Sequence, residues 1–240
     1  MTGLKKIRAL LNRPNLERKN LFAPSILSAD MTCLSLAIKD AEQAGADLIH
    51  IDIMDGVFVP SISFGPQIVN SVKRLTKLPV DVHLMTINPD RHVNSFVQAG
   101  ADLITFHLEA TFHANQLVKQ IQRLNIAAGV AINPATPISA ITEIATEIDL
   151  MLIMTVNPGF AGQDYLHTST EKINQADHIR KQKSLNYAIE VDGGINADTI
   201  AIARSAGADI FVAGSAFYNN SDSAIERSKL SLIKELKQLH

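Results

Sequence analysis

Eight short apolar runs, each followed by a turn and a segment of helical periodicity, predict an α/β fold of the (β/α)8 barrel class. Two further observations favour a closed ring over an open, doubly wound sheet. No Gly-x-Gly-x-x-Gly follows the first run, where a dinucleotide-binding sheet would carry it. Polar residues gather at the C-terminal ends of several runs, which is where barrels place their chemistry. The 240 residues match the roughly 250 that such a barrel occupies as one unit.

The strands are expected at Leu21–Leu27, Asp47–Ile53, Val80–Met85, Asp102–Leu108, Ile126–Ile132, Asp149–Val156, Ala188–Asp192 and Asp209–Ala213. Their near-continuous Ile, Val and Leu content implies a parallel sheet covered on both faces. Helical segments fill the gaps, among them Cys33–Ala44, Pro89–Ala99, Ala114–Leu124 and Ala197–Ala206. Alternation of strand and helix implies right-handed crossovers. The tetrapeptide Ala-Gly-Ala-Asp recurs at 44–47, 99–102 and 206–209, each time just before a strand. Gly45, Gly100 and Gly207 then suit helix C-caps, where the backbone turns left-handed. Nothing linker-like divides the chain, so residues 21–240 are read as one barrel domain and residues 1–20 as a basic surface extension.

Composition narrows the function classes. Apolar residues make up 46%, enough for a sizeable core. A formal charge of −2 argues against a nucleic-acid partner. No run of about 18 apolar residues is present, so no membrane span is expected. The first twenty residues lack the apolar stretch and cleavage site of a secretory signal. Cys33 is the only cysteine; it allows no internal disulfide, reads as a small filler on a helix, and suits a reducing, cytoplasmic setting.

The chemistry starts at His50-Ile51-Asp52-Ile53-Met54-Asp55-Gly56. His50 and Asp52 are two residues apart on a strand, so both side chains face the barrel interior. His83 arrives from the end of the third strand, and Asp192 from the end of the seventh. A lone His or Asp at a strand end is ordinarily structural. Four of them on three strand ends, amid apolar sequence, favour a metal site over the structural reading. Two imidazoles and two carboxylates suit one borderline divalent ion per subunit: Zn2+, Fe2+, Mn2+ or Co2+. Asp52 would be costly to bury without a metal, partner or proton. Gly193-Gly194 after strand seven, Gly214-Ser215 after strand eight and Gly159–Gly162 after strand six are glycine-bearing loops. Backbone amides there can approach an anion, and barrels commonly hold phosphate on the loops after strands seven and eight.

In this order, these residues resemble the ribulose-phosphate 3-epimerase family from Ala23 to about Tyr218. The carrying stretches are Ala23–Asp30, His50–Pro60, Asp81–Met85, Asn88-Pro89, Thr105–Ala110, Met154–Gln163, Val191–Asn196 and Ala213–Ala216. The resemblance implies a TIM barrel of the ribulose-phosphate-binding type and a phosphorylated ketopentose as substrate. It implies that His50, Asp52, His83 and Asp192 bind the metal, and that Asp52 and Asp192 are the acid–base pair. Ser25, His83, Gly159, Phe160, Ala161, Gly162, Asp192, Gly193, Gly194, Gly214 and Ser215 would contact substrate. Met54, Met85 and Met154 match methionines lining the mouth, although plain barrel packing accounts for each equally well. A homo-oligomer is also expected. Ala161 stands where the family more usually has Gly, which matters only if that position needs positive φ. Ser61 stands where Asn is common.

Rival readings are testable. An epimerase for a phosphorylated ketohexose would use the same site with different room around the sugar. Schiff-base aldol chemistry needs a lysine in the mouth, and none of the eight expected strands carries one. The decarboxylase pattern Asp-x-Lys-x-x-Asp is absent, because Ile49 stands in the lysine's place. A non-catalytic binding barrel would have no need of two opposed carboxylates. His107 and Glu109, at the end of strand four, are assigned no role from sequence.

Overall fold

The computed structural model describes residues 3–11, 20–218 and 235. The expected extension therefore lies partly outside the described residues, at 1–2 and 12–19, and the end of the expected domain at 219–234 and 236–240.

Eight parallel strands form one sheet: β1 Leu21–Pro24, β2 Ile49–Met54, β3 Val80–Met85, β4 Leu103–His107, β5 Ala127–Ile132, β6 Leu150–Met154, β7 Ala188–Asp192 and β8 Ile210–Ala213. They run in the order β1-β8-β7-β6-β5-β4-β3-β2. The ring is completed between β1 and β2 by a parallel bridge from Ser25 to His50 and by the Asp47 N–H donating to the Phe22 carbonyl at 2.9 Å. All eight expected strands are present, and most are shorter than expected. Strand one ends at Pro24, because the Ser25 hydroxyl then accepts the Leu27 N–H and turns Ile26–Ser28 into a 3-10 turn.

The helices are α1 Gly3–Leu11, α2 Leu34–Gln43, α3 Pro66–Leu75, α4 Val93–Ala99, α5 Ala114–Arg123, α6 Thr168–Gln182, α7 Ala197–Ala206 and α8 Ser215–Tyr218. After β5 there is only a 3-10 turn at Ile138–Ile141 where a regular repeat has an α-helix. Cys33 is exposed just ahead of α2, so the reading of it as a packed filler is wrong. Its position is the N-cap, where the side chain faces solvent.

The Ala-Gly-Ala-Asp junctions work as anticipated. Gly45, Gly100 and Gly207 have φ of 82°, 107° and 119°, the left-handed region that glycine enters without steric penalty. The following aspartates serve the neighbouring strand: Asp47 accepts the Phe22 N–H, Asp102 the Val80 N–H and Asp209 the Ile189 N–H. Asp149 does the same for Ala128 without the motif. Each carboxylate satisfies a donor at the lower rim that would otherwise be buried and unpaired.

Side-chain alternation divides the core in two. The outward residues of the strands, such as Ile51, Val82, Ile104, Val130, Ile153 and Val191, pack under the helices. The inward apolar residues Leu21, Leu48, Leu103, Leu150, Leu152 and Ile210 form a separate interior cluster. Ile7 and Leu11 of α1 are buried in that second cluster, and Arg8 donates to Asp149 at 2.6 Å. Part of the expected surface extension is therefore a stopper on the barrel floor.

Candidate active site

The inward positions change character toward the C-terminal ends of four strands. β2 contributes His50 and Asp52, β3 Asp81 and His83, β4 Thr105 and His107, and β7 Glu190 and Asp192. All except the half-buried Asp192 are buried. Parallel register sets His50 beside Asp81 and Asp52 beside His83.

Ligand atoms of His50, Asp52, His83 and Asp192 all lie within 4.8 Å of one another, a cluster that could hold a metal ion. The structure thus brings together the four residues singled out from sequence. His83 Nδ1 lies 3.2 Å from Asp52 Oδ1 and 3.7 Å from Asp192 Oδ2. His50 turns Nδ1 to Asp81 Oδ2 at 2.7 Å, leaving its buried Nε2 without a hydrogen-bond partner on the cluster side. A metal-binding imidazole typically has its second nitrogen held by a carboxylate in this way. The donor set and the orphaned Nε2 fit a divalent cation.

The surrounding charges separate the two aspartates. Burial disfavours ionisation of Asp52, but His50 and His83 outweigh it and hold its carboxyl well below the usual range. Burial, aided by the neighbouring Asp52, pushes Asp192 up to about 7. Burial likewise carries His83 down to about 4. His50 goes the other way, because Asp52 and Asp81 overcome the cost of burying its cation.

A cavity of about 320 Å³ opens above this cluster. Its lining includes Ser25, Asp52, Asp192 and the three methionines, with Gly159, Phe160, Ala161, Gly162, Gly193, Gly194, Gly214 and Ser215 around the rim. Every substrate-contact residue anticipated from sequence borders it except His83, which lies buried beneath. Met54, Met85 and Met154 therefore face the cavity while also being packed. Ser25 donates to Asp52 Oδ2 at 2.5 Å. Two glycines are irreplaceable for steric reasons: a Cβ at Gly193 would lie 2.3 Å from Val156, and one at Gly194 would lie 2.4 Å from the Tyr165 nitrogen. Both also have positive φ, whereas Ala161 does not, so its methyl is tolerated. The loop after β7 is tied down by an Asn196–Thr199 capping box, with Thr199 also donating to the Gly194 carbonyl.

Sequence reasoning missed Asp81 and Glu190. Each stands two residues before a residue singled out from sequence, so the alternation that paired His50 with Asp52 would have found both. Together with His50 they form a second buried cluster directly below the first. Neither Glu190 oxygen has a hydrogen-bond partner, and burial holds this carboxyl well above its ordinary range.

A closed parallel ring with its polar groups gathered at the C-terminal strand ends defines a (β/α)8-barrel enzyme. The chain belongs to the ribulose-phosphate 3 epimerase family, whose model matches residues 21–218. It is 48% identical over 201 residues to ribulose-phosphate 3-epimerase of Bacillus subtilis, covering 83% of this chain and 93% of that one. It is 44% identical over 206 residues to the chloroplastic ribulose-5-phosphate-3-epimerase of Arabidopsis thaliana, covering 85% and 73% respectively. Among solved structures the backbone resembles 3-hexulose-6-phosphate synthase, with a TM-score of 0.66 at 20% identity over 90% of this chain and 99% of that one. It also resembles KGPDC from Streptococcus mutans, with a TM-score of 0.66 at 14% identity over 92% and 99%. At such identities these two likenesses concern the fold alone. No helix among the described residues is long and apolar enough to cross a membrane.

Proposed function

We propose that this epimerase interconverts D-ribulose 5-phosphate and D-xylulose 5-phosphate by proton transfer at C3, with Asp52 and Asp192 as the acid–base pair. The observation that carries the reading is that two carboxyls reach one cavity from separate strands, β2 and β7, within a cluster that could hold a metal. Inversion through a planar intermediate needs a base on one side and an acid on the other, and two carboxyls reaching the cavity from separate strands can supply both. Their roles exchange with reaction direction.

His50, His83, Asp52 and Asp192 would hold one divalent cation, Zn2+, Fe2+, Mn2+ or Co2+. When bound, such an ion supplies Lewis-acid stabilisation of negative charge developing on the substrate's oxygens. Ser25 donates to Asp52 and fixes the carboxylate's orientation. Gly193, Gly194, Gly214 and Ser215 would hold the phosphate on backbone N–H groups, and the Gly159–Gly162 loop would close over the sugar. Binding energy from that remote phosphate would orient C3 between the two acids. The methionine wall offers no proton donor to an electron-rich intermediate. We also assign the enzyme a cytoplasmic setting and a homo-oligomeric state; the exposed Val57, Ile62 and Phe112 are apolar surface that a second copy could cover.

The test is solvent deuterium. Substrate incubated with the metal-loaded enzyme in D2O should acquire label at C3 at a rate matching turnover. Binding without label at saturating Co2+ would show that the carboxylates do not exchange the proton.

A further inference from the structure

His83 is held from behind. Its Nε2 lies 2.9 Å from His107 Nε2, while its Nδ1 faces Asp52 and Asp192. On the far side of His107, Glu109 Oε2 lies 3.4 Å from Nδ1, an electrostatic contact and not a formed hydrogen bond. All three imidazoles in this region are fully buried, so bulk water does not choose their tautomers.

We propose that His107 and Glu109 are positioning residues that set the tautomer of His83, leaving the Nδ1 lone pair free for the cation. The inference rests on the metal reading above and extends it to residues outside the ligand set. Two ring nitrogens 2.9 Å apart need one proton between them. If it sits on His83 Nε2, then His107 Nε2 accepts, and neutral His107 carries its own proton on Nδ1, facing the Glu109 carboxylate. If the whole line is reversed, a bare His107 Nδ1 lone pair faces that carboxylate and the two repel. An ionised Glu109 therefore biases the line toward the first arrangement, in which His83 is ready to bind a metal, against the pull of the Asp52 carboxylate, which at 3.2 Å from His83 Nδ1 favours a proton there until a cation takes its place.

The surroundings hold Glu109 in that role. Its Oε1 accepts the Asn133 N–H at 2.8 Å and the Thr136 hydroxyl, so Oε2 remains for His107. Lys172 donates to the carbonyls of Asn133, Pro134 and Thr136, which pins the same loop. Phe58 packs against His107 with ring centroids 4.7 Å apart, and His107 lies nearly parallel to His83 at 5.0 Å. The contact with His107 and the hydrogen bonds from Thr136 and the Asn133 N–H keep Glu109 charged, with its pKa lowered to about 2 against the opposition of burial.

The experiment reads tautomer and metal affinity separately. Ring 15N shifts of the metal-free proteins near pH 7.5 should show a larger share of His83 protonated at Nε2 in wild type than in Glu109→Gln. Glu109→Gln can offer an N–H to His107 and should shift His83 toward the opposite tautomer. Co2+ affinity, measured by competition with a chromogenic chelator, should fall about 10- to 100-fold in His107→Phe and Glu109→Gln, the range typical of lost outer-shell partners. His107→Gln, which restores an acceptor, should recover part of that loss. Melting temperatures of the metal-free variants separate this from a packing defect. An equal share of Nε2-protonated His83 in wild type and Glu109→Gln overturns the proposal. So do Co2+ affinities unchanged in both variants beside normal wild-type binding, and that result leaves the metal site standing. A wild-type protein that binds no Co2+ overturns the metal reading, and this inference with it.

Discussion

The two ends of the barrel interior follow the same alternation and carry opposite loads. At the floor, Leu21, Leu48, Leu103, Leu150 and Ile210 fill the ring, and α1 seals it with Ile7 and Leu11. At the mouth, the same inward positions are His50, Asp52, Asp81, His83, His107, Glu190 and Asp192. Several of their atoms, including His50 Nε2 and both Glu190 oxygens, lack a hydrogen-bond partner. Unpaired buried polar groups cost stability. The lower half thus supplies stability against which the upper half can hold groups that would be unfavourable alone, a division common at functional sites.

Substitutions at each end should break different properties. The largest effect is expected from Asp52→Asn or Asp192→Asn. Losing an acid–base group should reduce kcat by about 10²- to 10⁴-fold, and far-UV circular dichroism should remain unchanged. Near-normal turnover in either variant would defeat the two-carboxylate scheme. Next comes Leu103→Ala at the floor, where the side chain is fully buried. It should cost about 2–5 kcal/mol in denaturant unfolding while leaving kcat per folded molecule unchanged. A fall in kcat would show that the two ends are coupled.

The smallest effect is expected from Glu109 as a pH-dependent contributor. Its folded pKa lies near 2, below the ordinary 4.5, so its charge contributes stability above about pH 4.5 and loses it as pH falls toward 2. The stability gap between wild type and Glu109→Gln, followed by denaturant midpoints, should be full at pH 6 and should shrink between pH 4.5 and 2. A gap that is constant across this range would exclude an electrostatic origin.

Much of this was legible in the chain. His50 and Asp52 could be assigned to one face because strand side chains alternate with a period of two. The same rule covers Asp81 and Glu190, which share an inward face with His83 and Asp192. The aspartate of Ala-Gly-Ala-Asp was recognised as a junction. Its hydrogen bond to the strand next door was not, since Asp47 and Phe22 are 25 residues apart. The missing α-helix after β5 and the seating of α1 on the floor depend on packing that no local pattern displays.

The sequence by itself determined eight strands, their inward and outward faces, the glycine caps and the four residues that converge at the mouth. These follow from local rules: backbone sterics, side-chain alternation and residue chemistry. Only the tertiary structure decided that His50 presents Nε2 while His83 presents Nδ1. That choice depends on partners 31 and 24 residues away, Asp81 and His107, which parallel register and ring closure bring within hydrogen-bonding distance.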